Sequence, residues 1–202
     1  MIGNKIGHRF DPYLYQLYKK IFGERGNPNF FTVMGLFMTL IAFFLILMGF
    51  WVLAGLIIIL SGIFDLFDGM IARKFGKVTL WGGFLDSVLD RYADLLLLLA
   101  FAIHYLNKGN PGLVILTFLV SMGTVLIPYV RARAEASNVS CNIGLMERAE
   151  RIILLSAGAL LNWMEPVLWI LVVLTHFTVF HRIYYVWKKL RSPSESKNLK
   201  SQ

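Results

Sequence analysis

Five long apolar runs constrain the fold of this chain more than any other feature. They lie near residues 30–63, 82–106, 111–130, 143–162 and 164–187, and each approaches or exceeds the ~20 residues that a helix needs to cross a bilayer. With 202 residues, 57% of them hydrophobic, and a mean hydropathy of +0.63, the chain is too apolar for an ordinary soluble domain. We therefore predict one all-α, polytopic membrane domain.

The first run is long enough for two helices, which gives six predicted transmembrane helices. We place the break at Gly49 to Gly55 and continue the second helix to about Lys74. Residues 8–25 carry apolar side chains at helical spacing, which predicts an amphipathic helix on the inner leaflet. The predicted segments are an N-terminal amphipathic interfacial segment (1–28), a transmembrane domain (29–191) and a disordered tail (192–202).

Lysine and arginine predict the orientation of these spans. Five precede Pro28, three lie between the second and third spans, four between the fourth and fifth, and six from Arg182 onward, whereas the opposite loops hold only Lys108. Both termini and the polar ends of the spans are therefore expected on the cytoplasmic side of the cell (plasma) membrane. Because the net charge of +8 is divided among short loops, it indicates topology and not a nucleic-acid partner. The single cysteine, Cys141, excludes an intrachain disulfide.

Two pairs of aspartates repeat a helical spacing inside the apolar middle of the chain. Asp65 and Asp68 form the first pair, and Asp86 and Asp90 form the second. Residues three or four apart share a helix face, so one bundle could gather all four carboxylates. A carboxylate at bilayer depth costs roughly 2 to 3 kcal/mol, and a divalent cation is the usual compensation for clustered carboxylates. An all-oxygen site that also binds phosphates favours Mg2+.

The stretch around these aspartates resembles a known family signature. It reads DLFDGMIARKFGKVTLWGGFLDSVLD, or D-x2-D-G-x2-A-R-x8-G-x3-D-x3-D, starting at Asp65. This closely resembles the signature of the CDP-alcohol phosphotransferase family, membrane enzymes that move a phosphoalcohol group from a CDP-linked lipid to an alcohol acceptor. All eight fixed positions match in type and spacing.

The resemblance implies roles for individual residues. It makes Asp65, Asp68 and Asp86 ligands of Mg2+, or alternatively Mn2+, while Asp90 either joins the metal site or deprotonates the attacking hydroxyl. Upstream, Asn27 to Thr32 is similar to a P-N-x-x-T segment near the nucleotide, although Asn29 could equally cap a helix. The residues that the resemblance places at the CDP site are Asn29, Thr32, Asp68, Gly69, Ala72, Arg73 and Gly82.

A structural alternative is that the aspartates only form salt bridges with Arg73 and Arg91. Two arginines cannot neutralise four acids, so we prefer the metal site. Asp94 continues the stripe of Asp86 and Asp90 by one turn but lies outside the family pattern. We expect it to contribute to helix packing, or to contact the metal ligands without binding the metal itself.

A second polar group consists of YVRARAE at 129–135 and GLMERAER at 144–151. Its arginines can bind a phosphate that is not attached to CDP. The pattern resembles the branch of the family that makes phosphatidylinositol phosphate, which implies an acceptor pocket of Arg131, Arg133, Arg151 and Arg182. Positive-inside anchoring of the protein is the alternative reading of these arginines.

The expected activity is therefore transfer of the phosphatidyl group from CDP-diacylglycerol to inositol 1-phosphate. Glycerol 3-phosphate, which also needs a phosphate pocket, is the main rival acceptor. The resemblance further implies a homodimer in contact with membrane lipid. A divalent cation transporter and a noncatalytic lipid-binding scaffold are alternatives from other classes, but a transporter predicts polar groups that continue toward the far side of the membrane.

Overall fold

The fold is a bundle of helices. The computed structural model describes residues 15–16, 18–20 and 27–191 of the chain. Between residues 27 and 191 the chain forms six helices and no strand, which confirms the all-α prediction for this part of the protein. The helices are α1 (Pro28–Leu47), α2 (Trp51–Lys74), α3 (Leu80–Asn107), α4 (Pro111–Ala136), α5 (Arg148–Leu160) and α6 (Met164–Leu190).

Four of these helices, α1, α2, α4 and α6, are long and apolar enough to cross a membrane. The other two helices, which we also predicted to cross, do not meet both of these conditions. Helix α3 has 28 residues, but aspartates and Arg91 interrupt its first half. Helix α5 has only 13 residues, which at 1.5 Å per residue gives about 20 Å. Length and composition thus identify four candidate crossings among the described helices.

The break in the first apolar run is shorter than predicted. Helix α1 ends at Leu47 and α2 begins at Trp51, so Gly55 lies inside α2 and not in the break. Gly49 adopts a left-handed backbone with φ +80°, which allows the chain to reverse within three residues. The predicted end of α2 at Lys74 is confirmed.

Six packing pairs join the helices into a closed ring. Around the ring the order is α1, α2, α5, α6, α4, α3 and back to α1. Successive helices run in opposite directions, so one end of the bundle collects the start of α1, α3 and α5 and the end of α2, α4 and α6. Every residue of the predicted sites lies toward this end, which we call the polar end of the bundle.

A large apolar core fills the ring between its helices. It includes Ile46, Ile58, Phe101, Leu168 and Leu171, all with less than 2% of their surface exposed. Large apolar side chains also cover the outside of the bundle: Phe44, Phe118 and Phe177 are more than half exposed. An apolar exterior around a packed core is what a lipid environment requires.

The N-terminal segment contacts the polar end of the bundle through an aromatic cluster. Tyr18 is fully buried, and its ring meets the edges of Phe31 and Phe67 at centroid distances of 5.6 and 6.1 Å. Residues 15–16 and 18–20 are helical. The rest of the predicted amphipathic helix over 8–25, and the tail over 192–202 that we predict to be disordered, lie outside the described residues.

Candidate active site

Three carboxylates meet at the polar end of the bundle. Asp65 and Asp68 lie on one face of α2, and Asp86 lies one and a half turns into α3. One carboxylate oxygen from each lies within 4.8 Å of the other two. Asp68 is buried, whereas Asp65 and Asp86 are partly exposed. We call these three residues the carboxylate trio.

The carboxylate trio fits a divalent cation. The Oδ2 atom of Asp68 is buried and accepts no hydrogen bond from the described residues, although buried polar atoms nearly always have a partner. Three acidic side chains at this separation also repel one another unless a positive charge lies between them. Carboxylate oxygens alone form the donor set that Mg2+ and Mn2+ prefer.

Asp90 does not belong to the trio. Its Oδ1 atom lies 2.8 Å from Nη1 of Arg148, and its Oδ2 atom lies 3.7 Å from Nη1 of Arg91. Both roles predicted for Asp90, fourth ligand and base, stay predictions. The structure therefore brings together three of the four aspartates that the sequence places at the metal.

A cleft of about 590 Å³ lies beside the carboxylate trio. Its boundary includes all seven residues predicted for the CDP site, namely Asn29, Thr32, Asp68, Gly69, Ala72, Arg73 and Gly82. The Arg73 guanidinium folds back over Gly69, so that a Cβ atom added at Gly69 would lie 3.1 Å from Nη1. We call this space the first cleft.

Small residues bring two helices together at the floor of the first cleft. A Cβ atom added at Gly82 on α3 would lie 3.3 Å from Oδ1 of Asn29 on α1 and 2.9 Å from Oγ1 of Thr79. The Thr79 hydroxyl accepts a hydrogen bond from the Gly82 N–H at 2.9 Å and thereby caps α3. Gly82 thus lets the Asn29 side chain lie directly beside the start of α3.

Asn29 is not the residue that caps α1. The cap is Asn27, whose side-chain oxygen accepts a hydrogen bond from the Asn29 N–H at 3.2 Å. Pro28 is the first residue of the helix, a position that suits proline because the N–H there has no helical partner. The capping alternative for Asn29 is therefore wrong, and its side chain is available to the first cleft.

Helix α5 brings two arginines to the aspartates, because it packs closely and in the opposite direction along α2. Gly55 leaves room for Leu160, because a Cβ atom added at Gly55 would lie 2.8 Å from the Leu160 side chain. Two turns further on, Gly62 faces Ile152 in the same way, at 3.1 Å. The next contact in this series is the ion pair between Asp65 and Arg148.

Arg148 and Arg151 share a face of α5 and continue the contact onto α3. Arg151 Nη2 donates to Asp94 Oδ2 at 2.5 Å, and Arg148 Nε lies 3.8 Å from Asp94 Oδ1. Asp94 thus joins α3 to α5, which agrees with its expected role in helix packing. Glu147 and Glu150 start α5, since the Glu147 N–H donates to Glu150 Oε2 at 3.1 Å.

A second cleft of about 970 Å³ opens on the other side of the trio. Arg131, Arg151 and Arg182 line it, whereas Arg133 is exposed and does not. Residues two apart in a helix point roughly 200° away from each other, so Arg131 and Arg133 on α4 cannot face one cleft together. The structure thus places three of the four predicted acceptor arginines at the second cleft.

Arg182 also holds the structure of the second cleft in place. Its Nε donates to the Ile143 carbonyl at 2.7 Å, and its Nη1 donates to the Ile127 carbonyl at 2.8 Å. Arg182, which is only 2% exposed, therefore ties α6 to α4 and to the loop before α5.

Arg148 is the site residue that sequence reasoning missed. It contacts both Asp65 and Asp90 and lines the second cleft. The signal was present in the spacing of E-R-x-E-R, because residues three apart in a helix share a face, so Arg148 must lie near Arg151. Its partners on α2 and α3 depend on helix packing, which the spacing does not specify.

Asp86 lines both the first and the second cleft. A molecule in one cleft and a molecule in the other would therefore meet at the carboxylate trio. Such an arrangement suits transfer of a group between two anionic substrates, with a cation offsetting their charge.

Comparison with known proteins agrees with this geometry. A family model described as CDP-alcohol phosphatidyltransferase matches residues 26–181. The archaetidylinositol phosphate synthase of Methanothermobacter thermautotrophicus is 38% identical over 134 residues, which cover 63% of this chain and 66% of that protein. The match therefore spans just under two thirds of the length of that relative.

Solved structures resemble the whole bundle. The phosphatidylinositol phosphate synthase of Mycobacterium tuberculosis with CDP-DAG bound superimposes with a TM-score of 0.75 at 27% identity, covering 91% of this chain and 94% of that chain. The same enzyme in complex with manganese and citrate gives a TM-score of 0.74 at 27% identity over 91% of this chain and 90% of that one. Since the family match covers most of the sequence and reaches every residue of both the trio and the first cleft, the chain belongs to the CDP-alcohol phosphatidyltransferase family.

Proposed function

We propose that this protein transfers the phosphatidyl group of CDP-diacylglycerol to inositol 1-phosphate, giving phosphatidylinositol phosphate and CMP. The observation that carries the proposal is the position of Asp86 between a cleft with the predicted nucleotide residues and a cleft lined by arginines. The names of the relatives support the same reaction, because they are synthases of inositol phosphate lipids.

The first cleft would bind the donor. Asn29 and Thr32 offer an amide and a hydroxyl to the cytidine or its phosphate, and Arg73 offers a planar cation to the phosphate oxygens. Gly69 and Gly82 allow the nucleotide to approach the backbone of α2 and α3. The acyl chains would remain in the lipid outside the bundle.

The second cleft would bind the acceptor by its phosphate. Arg131, Arg151 and Arg182 bring three guanidinium groups to one cavity, and charge-assisted hydrogen bonds to phosphate are among the strongest that proteins form. An unphosphorylated acceptor such as free inositol would bring no negative charge to these arginines beyond the carboxylates that already face them, Glu135, Asp94 and Glu147. The earlier assignment of Arg133 to this pocket is not carried into the proposal, because its side chain lies outside the cleft.

The reaction would be a displacement at phosphorus. The acceptor hydroxyl loses its proton to a carboxylate oxygen of Asp90 while its oxygen bonds to the lipid-side phosphorus. The bond from that phosphorus to the oxygen of CMP breaks, and CMP leaves with the electron pair. Asp65, Asp68 and Asp86 would hold Mg2+ or Mn2+, which, when bound, offsets the negative charge of the phosphate groups.

A comparison of acceptors by the purified protein tests the proposal. CMP release is measured with CDP-diacylglycerol and inositol 1-phosphate, glycerol 3-phosphate or free inositol, each with Mg2+, with Mn2+ and with EDTA. We expect release with inositol 1-phosphate and a cation, and none with EDTA or after Asp90→Asn. Faster CMP release with glycerol 3-phosphate would identify that compound as the acceptor instead. No release with either phosphate would contradict the proposed enzymatic activity.

We also propose that the bundle makes six membrane crossings with its polar end in the cytoplasm. Helix α5 supports this count although it is short, because it extends from the level of Asp65 to the level of Gly55, four residues from the far end of α2. The lysines and arginines concentrated at the polar end support the orientation. Preference for Mg2+ over Mn2+ in cells and assembly into a homodimer stay predictions.

A further inference from the structure

We propose that Gly144 is a positioning residue that directs the Arg182 guanidinium toward the acceptor phosphate. The inference deepens the proposed function and rests on it. Gly144 belongs to the loop before α5, which connects Ala136 to Arg148, and it does not line the second cleft itself. It acts on the acceptor through Arg182, which does line that cleft.

Gly144 has a backbone conformation that favours glycine. Its φ angle is +139°. Rotation about this angle turns the peptide group between Ile143 and Gly144, and the carbonyl of that peptide accepts a hydrogen bond from Arg182 Nε at 2.7 Å. A residue with a side chain would favour a negative φ and would turn this carbonyl away from Arg182.

The loop before α5 also lies too close to α6 at Gly144 to admit a side chain. A Cβ atom added there would lie 2.8 Å from Cγ2 of Thr178 and 3.2 Å from both Nε and Nη2 of Arg182. Thr178 is β-branched and fully buried, and its hydroxyl accepts a hydrogen bond from the Met146 N–H at 3.2 Å, so it has little room to move aside. The loop would therefore have to move away from α6, and the carbonyl bound to Arg182 would move with it.

The Ile143 carbonyl is one of two that hold the Arg182 guanidinium. The other belongs to Ile127 on α4 and lies 2.8 Å from Nη1. Two acceptors on different segments fix the orientation of a planar group, because turning it breaks at least one of the bonds. These bonds use two of the five N–H groups. Nη2 lies 3.8 Å from Glu147 Oε1, which is longer than a hydrogen bond, so this edge of the guanidinium can donate to a phosphate.

Gly144→Ala tests the inference. We expect the Kd and the KM for inositol 1-phosphate to rise about 10- to 100-fold, the range for loss of one charge-assisted hydrogen bond. The KM for CDP-diacylglycerol should stay within about twofold of the parent, because the first cleft shares no contact with this loop. Calorimetric titration of the purified protein with inositol 1-phosphate and with glycerol 3-phosphate, without the donor, measures Kd. Acceptor binding equal to that of the parent would overturn the proposal.

Gly109→Ala is the matched control for backbone strain. Gly109 also has a positive φ, +67°, but it lies at the end of the bundle opposite the polar end. Apart from its chain neighbours, no atom of the described residues lies within 4 Å of a Cβ atom added there. We expect this variant to lose stability while its Kd for inositol 1-phosphate stays within about twofold of the parent. An equal rise of Kd in both alanine variants would contradict the inference.

A double-mutant cycle with Arg182→Lys separates positioning from general damage to the second cleft. Lysine keeps the charge but lacks the planar group that the two carbonyls hold, so we expect weaker acceptor binding. Adding Gly144→Ala to Arg182→Lys should then weaken binding by less than about a further twofold. A full additional loss would contradict the inference, because Gly144 would then act on the acceptor without Arg182.

Thr178→Val carries the test if the alanine variant does not fold. It leaves Gly144 unchanged but removes the hydroxyl that binds the Met146 N–H, so the loop is held less firmly against α6. We expect about fivefold weaker acceptor binding, the effect of one neutral hydrogen bond. Parent acceptor binding in Thr178→Val would overturn the proposal.

Binding and turnover distinguish this inference from the proposed function. A parent protein that binds inositol 1-phosphate but releases no CMP would refute the proposed function, and the binding comparison would still decide the role of Gly144. A parent protein that binds neither phosphate would contradict both.

Discussion

Arg151 on α5 and Asp94 on α3 form a buried ion pair, with Nη2 and Oδ2 2.5 Å apart and each side chain only 6% exposed. The pair lies at the edge of the second cleft, where Arg151 is one of three arginines proposed to bind the acceptor. The contact that packs α3 against α5 therefore also orients a residue that we propose to bind the acceptor.

Asp94→Asn should destabilise the protein and weaken acceptor binding together. Removing one partner of a buried pair leaves an uncompensated charge, which costs about 3 kcal/mol. Thermal unfolding in detergent measures the loss, and we expect the KM for inositol 1-phosphate to rise about tenfold because Arg151 loses its support. In the double variant Asp94→Asn, Arg151→Gln, stability should partly return while acceptor binding stays weak. Recovery of both in the double variant would contradict the role of Arg151 in binding.

Gly82→Ala should weaken binding of the CDP-linked donor. The new methyl group would lie 2.9 Å from the Thr79 hydroxyl and 3.3 Å from Asn29 Oδ1, so the cap of α3 or the Asn29 side chain must shift. We expect the KM for CDP-diacylglycerol to rise about tenfold, because one misplaced hydrogen bond in a binding site costs roughly 1 to 2 kcal/mol. Gly112→Ala is the matched control: it also lies in the first turn of a helix, but its methyl group meets only Asn110 Oδ1 at an ordinary 3.5 Å. Equal effects of the two changes would refute the role of Gly82 in the cleft.

Arg131→Gln and Arg133→Gln should differ although the residues are two positions apart. Arg131 lines the second cleft, and loss of a charge-assisted contact to phosphate should raise the KM for inositol 1-phosphate by about 10- to 100-fold. Arg133 is exposed outside the cleft, so its change should alter KM less than about threefold. Steady-state kinetics with CDP-diacylglycerol at saturation checks both. A larger effect at Arg133 would move the acceptor site away from this cleft.

Asn27→Ala and Asn29→Ala should separate stability from nucleotide binding. Asn27 caps α1, and loss of such a cap costs about 1 kcal/mol of stability. Asn29 lines the first cleft, so its change should raise the KM for the donor with little effect on thermal unfolding. The two variants are compared by melting temperature and by donor titration. Loss of stability in Asn29→Ala, with weaker donor binding in Asn27→Ala, would instead identify Asn29 as the cap.

Local spacing predicted the carboxylate trio because its geometry is mostly local. Asp65 and Asp68 share a helix face, and only residues 75–79 connect α2 to α3, so Asp86 must return to the same level. The first cleft follows for the same reason, since its residues lie at adjoining helix ends. The cap at Asn27 was also readable, because a proline at the first helical position places the cap one residue earlier.

The part of the site that sequence reasoning missed depends on packing between distant segments. Arg148 meets Asp65 only because α5 lies along α2 with glycine at the two points of closest approach, and no pattern in either segment names the other. Family resemblance placed Arg133 in the acceptor pocket, but the helical period turns its side chain away from that of Arg131. The short length of α5 was also not predicted, because residues 143–147 of its apolar run form the loop before the helix.

The glycines of α2 also set the register of the charges at the polar end. Leu160 and Ile152 pack against Gly55 and Gly62, where an added Cβ atom would lie 2.8 and 3.1 Å from them. A slip by one helical turn, about 5.4 Å, would carry Arg148 beyond reach of Asp65. The ion pairs at the polar end thus depend on two glycines in the apolar part of the bundle that line neither cleft.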